Sequence, residues 1–214
     1  MIAPVPKDEK QRLKVLWQYE VLDTVPEEVF DDLTELAARI CEAPVALISL
    51  VDEKRQWFKS KVGTTLGETS RDVSFCAYAI TQSDLFIVPD ATLDKRFAAN
   101  PLVTSDPKIR FYAGAPLITP DGHALGTLCV IDKVPRELRP EQRQALRILA
   151  HHVVSQLELR RRSKQLGDVR QENERLKADL VKARAELTAA RRKPAQPKGA
   201  RPAAGGSGPR KKRK

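Results

Sequence analysis

Ile109-Arg110-Phe111-Tyr112-Ala113-Gly114-Ala115-Pro116-Leu117-Ile118-Thr119, then Pro120-Asp121-Gly122-His123, then Ala124-Leu125-Gly126-Thr127-Leu128-Cys129-Val130-Ile131-Asp132 follow one another without a break. Two runs rich in β-branched and aromatic residues flank a turn of proline, aspartate and glycine, residues whose backbone preferences build turns. The spacing predicts a β-hairpin over 109–132. Gly114, Ala115 and Gly126 put small side chains on its strands. Such positions either admit close packing of a neighbouring element or leave room for a ligand.

Upstream, Val45-Ala46-Leu47-Ile48-Ser49-Leu50-Val51 is a second short apolar run, with Asp52-Glu53-Lys54 as a turn and 55–60 as its hairpin partner. Pro44 closes a helix over 27–41. Its apolar positions Val29, Phe30, Leu33, Leu36, Ala37 and Ile40 lie close to the 3.6 period, and Glu27 and Glu28 occupy its first turn, where the helix dipole favours negative charge. Residues 8–20 read as a helix with Leu13, Leu16 and Trp17 on one face. Between the hairpins come a polar loop, a short helix over 72–80, a brief strand over 86–88 and an irregular stretch over 91–108. After Pro135 and Pro140 a long helix extends to about Arg192, with an apolar stripe of Leu146, Ala150, Val153 and Leu157. Sequential strands joined by hairpins imply an antiparallel sheet with helices packed on it, an α+β domain.

The chain has 214 residues and a net charge of +10, but the charge is unevenly placed. Residues 1–162 hold 22 Lys and Arg against 23 Asp and Glu, a net of −1; residues 163–214 hold 16 against 5, a net of +11. Attraction to nucleic acid or anionic lipid therefore belongs to the C-terminal part. Residues 193–214 contain Pro, Gly, Ala, Ser, Lys and Arg with no apolar face, a composition that predicts a disordered tail. Within it Arg210, Lys211, Lys212, Arg213 and Lys214 form a dense run suited to phosphate neutralisation. The tail lacks aromatics that would stack bases, so such binding is expected to be non-specific. No run approaches the roughly eighteen apolar residues of a membrane helix, and the first residues lack a signal pattern, so a cytoplasmic location is expected.

Residues 161–192 carry heptads. With Leu166 at position a, the a positions are Leu166, Asn173, Leu180 and Leu187, and the d positions are Val169, Leu176, Ala183 and Ala190. A single Asn at a specifies register in parallel dimers because it pairs only with its twin. The facing g and e residues are Glu172 with Lys177, Asp179 with Arg184, and Glu186 with Arg191, all attractive. A homodimer seamed by Leu166, Val169, Asn173, Leu176, Leu180, Ala183 and Leu187 is expected. A helix continuous with the domain would pass movement along itself.

Chemistry-bearing patterns are sparse. Cys41, Cys76 and Cys129 form no Cys-x-x-Cys pair, His151 and His152 are adjacent rather than at chelating spacing, and His123 sits in a turn. No glycine-rich phosphate loop is present. Asp90 and Asp132 each follow an apolar strand, where a turn or capping role is expected. No catalytic residue and no metal ligand is predicted.

Taken together, Leu22-Asp23-Thr24, Phe30-Asp31-Asp32-Leu33-Thr34, Ala46-Leu47-Ile48-Ser49-Leu50-Val51-Asp52, Arg55-Gln56-Trp57-Phe58-Lys59-Ser60, the run from Arg71 through Phe75-Cys76-Ala77-Tyr78 to Ile80, Arg110-Phe111-Tyr112-Ala113-Gly114-Ala115-Pro116-Leu117 and Gly126-Thr127-Leu128-Cys129-Val130-Ile131-Asp132 resemble bacterial GAF domains, in order, over roughly residues 10–160. The resemblance implies a six-stranded antiparallel sheet flanked by helices and a small-molecule pocket on one side. The expected organisation is an N-terminal helix over 1–22, the GAF domain over 23–160, the coiled coil over 161–192 and the tail over 193–214. By analogy the pocket wall comprises Phe75, Cys76, Tyr78, Asp90, Phe97, Arg110, Tyr112, Thr127 and Cys129. The resemblance names no ligand or cofactor for this chain. Cys76 is followed by Ala77, not by the His typical of bilin-attachment cysteines, and the cysteines are 35 and 53 residues apart, unlike the grouped cysteines of GAF methionine sulfoxide reductases. No kinase, cyclase or phosphodiesterase signature is present. The leading expectation is a non-enzymatic, dimeric ligand sensor that relays to a signalling kinase or cyclase in trans. The alternatives are a nucleic-acid-associated dimer with the GAF fold as scaffold, and an oxidoreductase using Cys76 or Cys129.

Overall fold

A computed structural model describes residues 3–192. The run Arg210 to Lys214 lies outside the described residues. Two units are distinguished, one ending at Leu166 and the other beginning at Gly167.

The first unit is built on one six-stranded sheet. Its strands are β1 (Val45–Val51), β2 (Arg55–Val62), β3 (Glu68–Ser70), β4 (Phe86–Val88), β5 (Phe111–Ile118) and β6 (Ala124–Asp132), in the order β3-β2-β1-β6-β5-β4. Every neighbouring pair is antiparallel. The hairpin of 109–132 therefore forms as expected, as β5 and β6, and the apolar run 45–51 lies beside it at the centre.

The side-chain period of two divides the sheet into two faces. Ala46, Ile48 and Leu50 of β1 join Phe111, Ala113, Ala115 and Leu117 of β5 and Leu128 and Val130 of β6 in one core. Leu47 and Val51 join Phe58, Phe86, Tyr112 and Cys129 in a second core on the opposite face. A bulge between Pro116 and Ile118 shifts the β5–β6 register, so Leu125 falls in phase with Leu128. Gly126 pairs with Leu50, and a β-carbon there would lie 1.9 Å from the Ser49 carbonyl oxygen. At this position the small residue serves close packing.

The first core is covered by α1 (Glu9–Gln18), α2 (Glu28–Cys41) and the start of α5 (Pro140–Arg192). Leu13, Leu16, Phe30, Ala37, Leu146, Ala150, Val153 and Leu157 are all buried there. The helical periodicity placed too much in this core, however. Trp17 is 51% exposed and its indole N–H donates to Asp52 at 3.0 Å, while Val29 and Leu36 face outward. The buried face of α2 instead includes Thr34, whose hydroxyl donates to the Phe30 carbonyl at 2.8 Å. The helix also stops before Pro44. Glu42 turns left-handed at φ 53°, and the amides of Glu42 and Ala43 bond back to Arg39 and Ala38.

The second face carries a short 3₁₀ turn (Arg71–Val73), α3 (Phe75–Ala79), α4 (Pro101–Thr104) and the connections between them. The helix predicted over 72–80 is thus interrupted. Ser74 is extended, its hydroxyl oxygen accepting from the Ala77 amide at 3.0 Å as an N-cap and itself donating to Gln56. The predicted polar loop contains β3, a strand of three polar residues paired to Arg55, Gln56 and Trp57. The stretch over 91–108 contains α4, capped by Asn100 through the Leu102 amide.

Three buried cations tie helices to the sheet. Arg12 reaches Glu9 and the carbonyls of Val51 and Ala124, and Arg71 reaches the same Glu9 and the Asp52 carbonyl. Lys59 uses its ammonium donors on Thr24, the Val25 carbonyl and Glu27. In the second unit α5 continues through the heptads. Leu166, at the end of the first unit, and Val169, Leu176, Leu180 and Leu187 are each more than half exposed, and Asn173 and Ala183 are exposed as well. The Asn173 amide donates to the Val169 carbonyl.

Burial would raise the Glu9 carboxyl, but hydrogen bonds from Arg12 and Arg71 outweigh it and lower it to about 2. A depressed carboxyl contributes its stability above the unfolded value of 4.5 and loses it as pH falls toward the folded value. Glu9→Gln is therefore expected to lower the urea midpoint at neutral pH, with the difference from wild type closing as the pH drops from about 5 to about 2. An equal deficit at every pH would show that Glu9 acts by packing alone.

Candidate functional site

On the second face of the sheet, β1, β2 and β6 floor a concave cleft of about 140 Å³. Its floor is Val45, Leu47, Phe58 and Ile131. One wall is Gly63, Thr64, Leu66 and Thr69, and the other is Leu102, Pro107 and Ile109, from α4 and the chain after it. Gln56, Asp132 and Lys133 supply polarity. Gln56 is oriented from two sides, donating to the Thr69 hydroxyl at 2.7 Å and accepting from Ser74. Asp132 accepts from the amides of Lys133 and Val134 and pairs with Arg136 at 3.0 Å, a turn-capping role. An apolar cleft with a few oriented polar groups suits a small molecule carrying one or two hydrogen-bonding functions.

Beside the cleft lies a packed aromatic cluster. Phe75 of α3 stacks on Phe97 with centroids 4.0 Å apart and on Tyr112 of β5 at 5.2 Å. Tyr78 meets Phe97 edge-on at 4.8 Å. Arg96, held by Asp94, lays its guanidinium over Phe86 at 4.7 Å and over Phe97 at 5.5 Å. The Tyr112 ring runs back along its strand over Gly114, where a β-carbon would meet the phenol oxygen at 2.3 Å. That absence of a side chain carries the Tyr112 hydroxyl to 3.3 Å from Cys76 Sγ and 3.5 Å from Thr127 Oγ1.

Of the nine residues expected to form a pocket wall, the structure brings Phe75, Cys76, Phe97, Tyr112, Thr127 and Cys129 together, all buried, with Tyr78 at the border of the cluster. Arg110 stands at its edge and donates to the carbonyls of Val103 and Ile109. Asp90 is apart, its carboxylate accepting from the amide and hydroxyl of Thr92. The cleft is lined by none of the nine. Its lining residues Leu47, Gln56 and Ile131 lie in strands already visible in the sequence, but only the sheet register shows which of their side chains share a face. Ser49, a lone hydroxyl in an apolar run, was not among the nine; it is wholly buried on β1 in register with Thr127 of β6. Cys76 and Cys129, 53 residues apart in the chain, have their sulfurs 3.9 Å apart, because α3 packs on β6. The sequence separation that set them apart from grouped cysteines is thus closed by the fold. Among the described residues no three His, Cys, Asp or Glu side chains form a metal-binding group.

Gly114→Ala is expected to destabilise the domain by ~2 kcal/mol, since the Tyr112 ring is held by Phe75 and has no space to yield. Chemical denaturation of the full chain measures this, and a change of under about 0.5 kcal/mol would mean the ring moves freely.

Comparison with known proteins agrees with this architecture. The family model for the GAF domain matches residues 25–157. A curated relative, a cyclic di-GMP phosphodiesterase of Pseudomonas aeruginosa, is 48% identical over 133 residues, covering 62% of this chain. The chain spans only 23% of that relative's length. Among solved structures, the GAF domain of an Acinetobacter phosphoenolpyruvate-protein phosphotransferase superposes with a TM-score of 0.53 at 17% identity, covering 72% of this chain and 95% of that one. A GAF domain region of a Geobacter sulfurreducens membrane protein gives 0.51 at 18% identity, covering 72% and 99%. No helix among the described residues is long and apolar enough to cross a membrane. By sequence and by fold, the chain belongs to the GAF domain family.

Proposed function

We propose that this chain is a regulatory sensor that takes a small ligand on the second face of its sheet and relays binding to a partner through a parallel coiled-coil homodimer. The observation that carries the reading is the cleft: its floor belongs to the central strands, and its walls belong to the connections over 63–69 and 102–109, which a ligand would order. The aromatic cluster of Phe75, Tyr78, Phe86, Phe97 and Tyr112 packs on the same face beside it, so a ligand larger than the cleft would be accommodated by displacing Tyr112 or Phe97. The same helix α5 that covers the first core continues into the heptads, which supports a relay along one element. The exposed Leu and Val at a and d, together with Asn173, support a second copy as their partner. A relative of nearly half identity is a cyclic di-GMP phosphodiesterase, so the output is proposed to be an enzyme of cyclic-dinucleotide turnover, or a kinase or cyclase, acting in trans.

Native mass spectrometry of freshly purified protein, compared with its denatured mass, tests both parts. A dimer with extra non-covalent mass is expected. Leu47→Trp should remove the extra mass while leaving the dimer, and Leu176→Lys with Leu180→Lys should give monomers that retain it. Extra mass unaffected by Leu47→Trp would place the ligand elsewhere, and a wild-type monomer would sink the relay.

The charge division supports a second reading, in which the net +11 of residues 163–214 holds duplex DNA non-specifically. Salt-sensitive DNA binding that disappears on truncation after Arg192 is its expected signature. Binding that survives truncation would exclude the tail.

A further inference from the structure

We propose that Cys76 and Cys129 form a reversible dithiol–disulfide couple, oxidised by a small hydroperoxide that enters through the cleft. Both cysteines are buried and free, with their sulfurs 3.9 Å apart. Bond formation needs the sulfurs to close by about 1.9 Å. Cys129 pairs with Leu47 on β1 and shares a sheet face with Ile131, and these two form part of the cleft floor. The oxidant thus has a path that ends one side chain from the pair.

The surroundings of Cys76 are polar on an otherwise apolar face. The Tyr112 hydroxyl donates to its sulfur at 3.3 Å. Thr127 Oγ1 lies next to the same hydroxyl. Ser49 Oγ, wholly buried on β1 in register with Thr127 of β6, has no hydrogen-bond partner. A buried hydroxyl without a partner needs a reason for its position, and a sulfur that becomes anionic supplies one. Burial opposes ionisation of Cys76, but hydrogen bonds from Cys129, Thr127 and Tyr112 outweigh it and draw the thiol below its ordinary value. Cys129, donating to that sulfur and buried, is held above its ordinary value. The titratable groups facing Cys76 are thus Cys129 of β6 and Tyr112 of β5. One sulfur is prepared as the nucleophile, and the other keeps its proton.

The reaction balances within the pair. The Cys76 thiolate attacks one oxygen of the hydroperoxide; the O–O bond breaks, an S–O bond forms, and the departing alkoxide or hydroxide takes a proton. Cys129 then attacks the Cys76 sulfur, an S–S bond forms, and hydroxide leaves with the second thiol proton as water. Two electrons pass from the dithiol to the peroxide.

The test uses the full chain. After brief exposure to hydrogen peroxide the protein is unfolded in an alkylating agent and weighed. The expected result is a mass lower by two hydrogens, one alkylated cysteine, which is Cys41, and a peptide link between Cys76 and Cys129. Dithiothreitol should restore three alkylated cysteines. Cys129→Ser should stop at the Cys76 sulfenic acid, trapped by dimedone. Tyr112→Phe, if its fold is retained by circular dichroism, should move the pH midpoint of oxidation up by about one unit, the loss of a hydrogen bond to a charged group. A merely structural tyrosine would leave that midpoint unmoved. Three alkylatable cysteines after peroxide, a link that includes Cys41, or a link between two chains overturns the proposal, and the wild-type result decides it even if a variant does not fold.

Discussion

The two central strands, β1 and β6, are buried on both faces, and the rest of the domain follows from that constraint. A strand with one wet face can spend alternate residues on solvent. Here each alternate set must fill a core of its own, so Ala46, Ile48 and Leu50 serve the helices α1, α2 and α5 while Leu47 and Val51 serve the aromatic side. The two ladders must also approach closely enough that position 126 has no room for a side chain. Burying a polar group is costly without a partner, and Gln56, Lys59, Arg12 and Arg71 each find one in the segments around the central strands, whereas Ser49 Oγ on β1 has none.

The two faces do different work. The first is a contiguous, mainly aliphatic core, with Tyr19, Phe30 and Phe111 among its members, that fixes the start of α5 to the sheet. The second is stacked from rings and small groups around the sulfur pair, and it opens at one side into the cleft. Structural rigidity and chemical variety are therefore separated by one strand thickness. A domain arranged this way can vary the contents of its second face without disturbing the helix that leads out of the first.

Most of the architecture was legible because it rests on local pattern. The apolar runs at 45–51 and 109–132, the turn at Pro120 to His123 and the stripe from Leu146 to Leu157 all state their role in residues close together in the chain. The remainder depends on partners distant in sequence. Strand β3 has only Glu68, Thr69 and Ser70, all polar, and its side-chain partners Arg55 and Gln56 lie 13 positions away, so no apolar alternation marks it. Ser74 breaks the helix because Gln56, eighteen positions away, holds it. Trp17 keeps the helical phase of Leu13 and Leu16 but lies outward, where Asp52 satisfies its indole. For the site, residue types were readable and juxtaposition was not. Phe75, Cys76, Tyr112, Thr127 and Cys129 were singled out and do meet, whereas the concavity beside them is formed by side chains such as Leu47 and Ile131, whose facing is set by register.

The outward position of Trp17 gives the molecule an optical property. The chain has two tryptophans, Trp17 on α1 and Trp57 on β2. Trp57 packs partly against the first core, while Trp17 meets water with its N–H anchored to the turn that joins β1 to β2. Its emission is therefore governed by whether the first helix stays docked on that turn. The intrinsic fluorescence of the protein is a two-point gauge, one point on the sheet and one on the N-terminal helix, and needs no added dye.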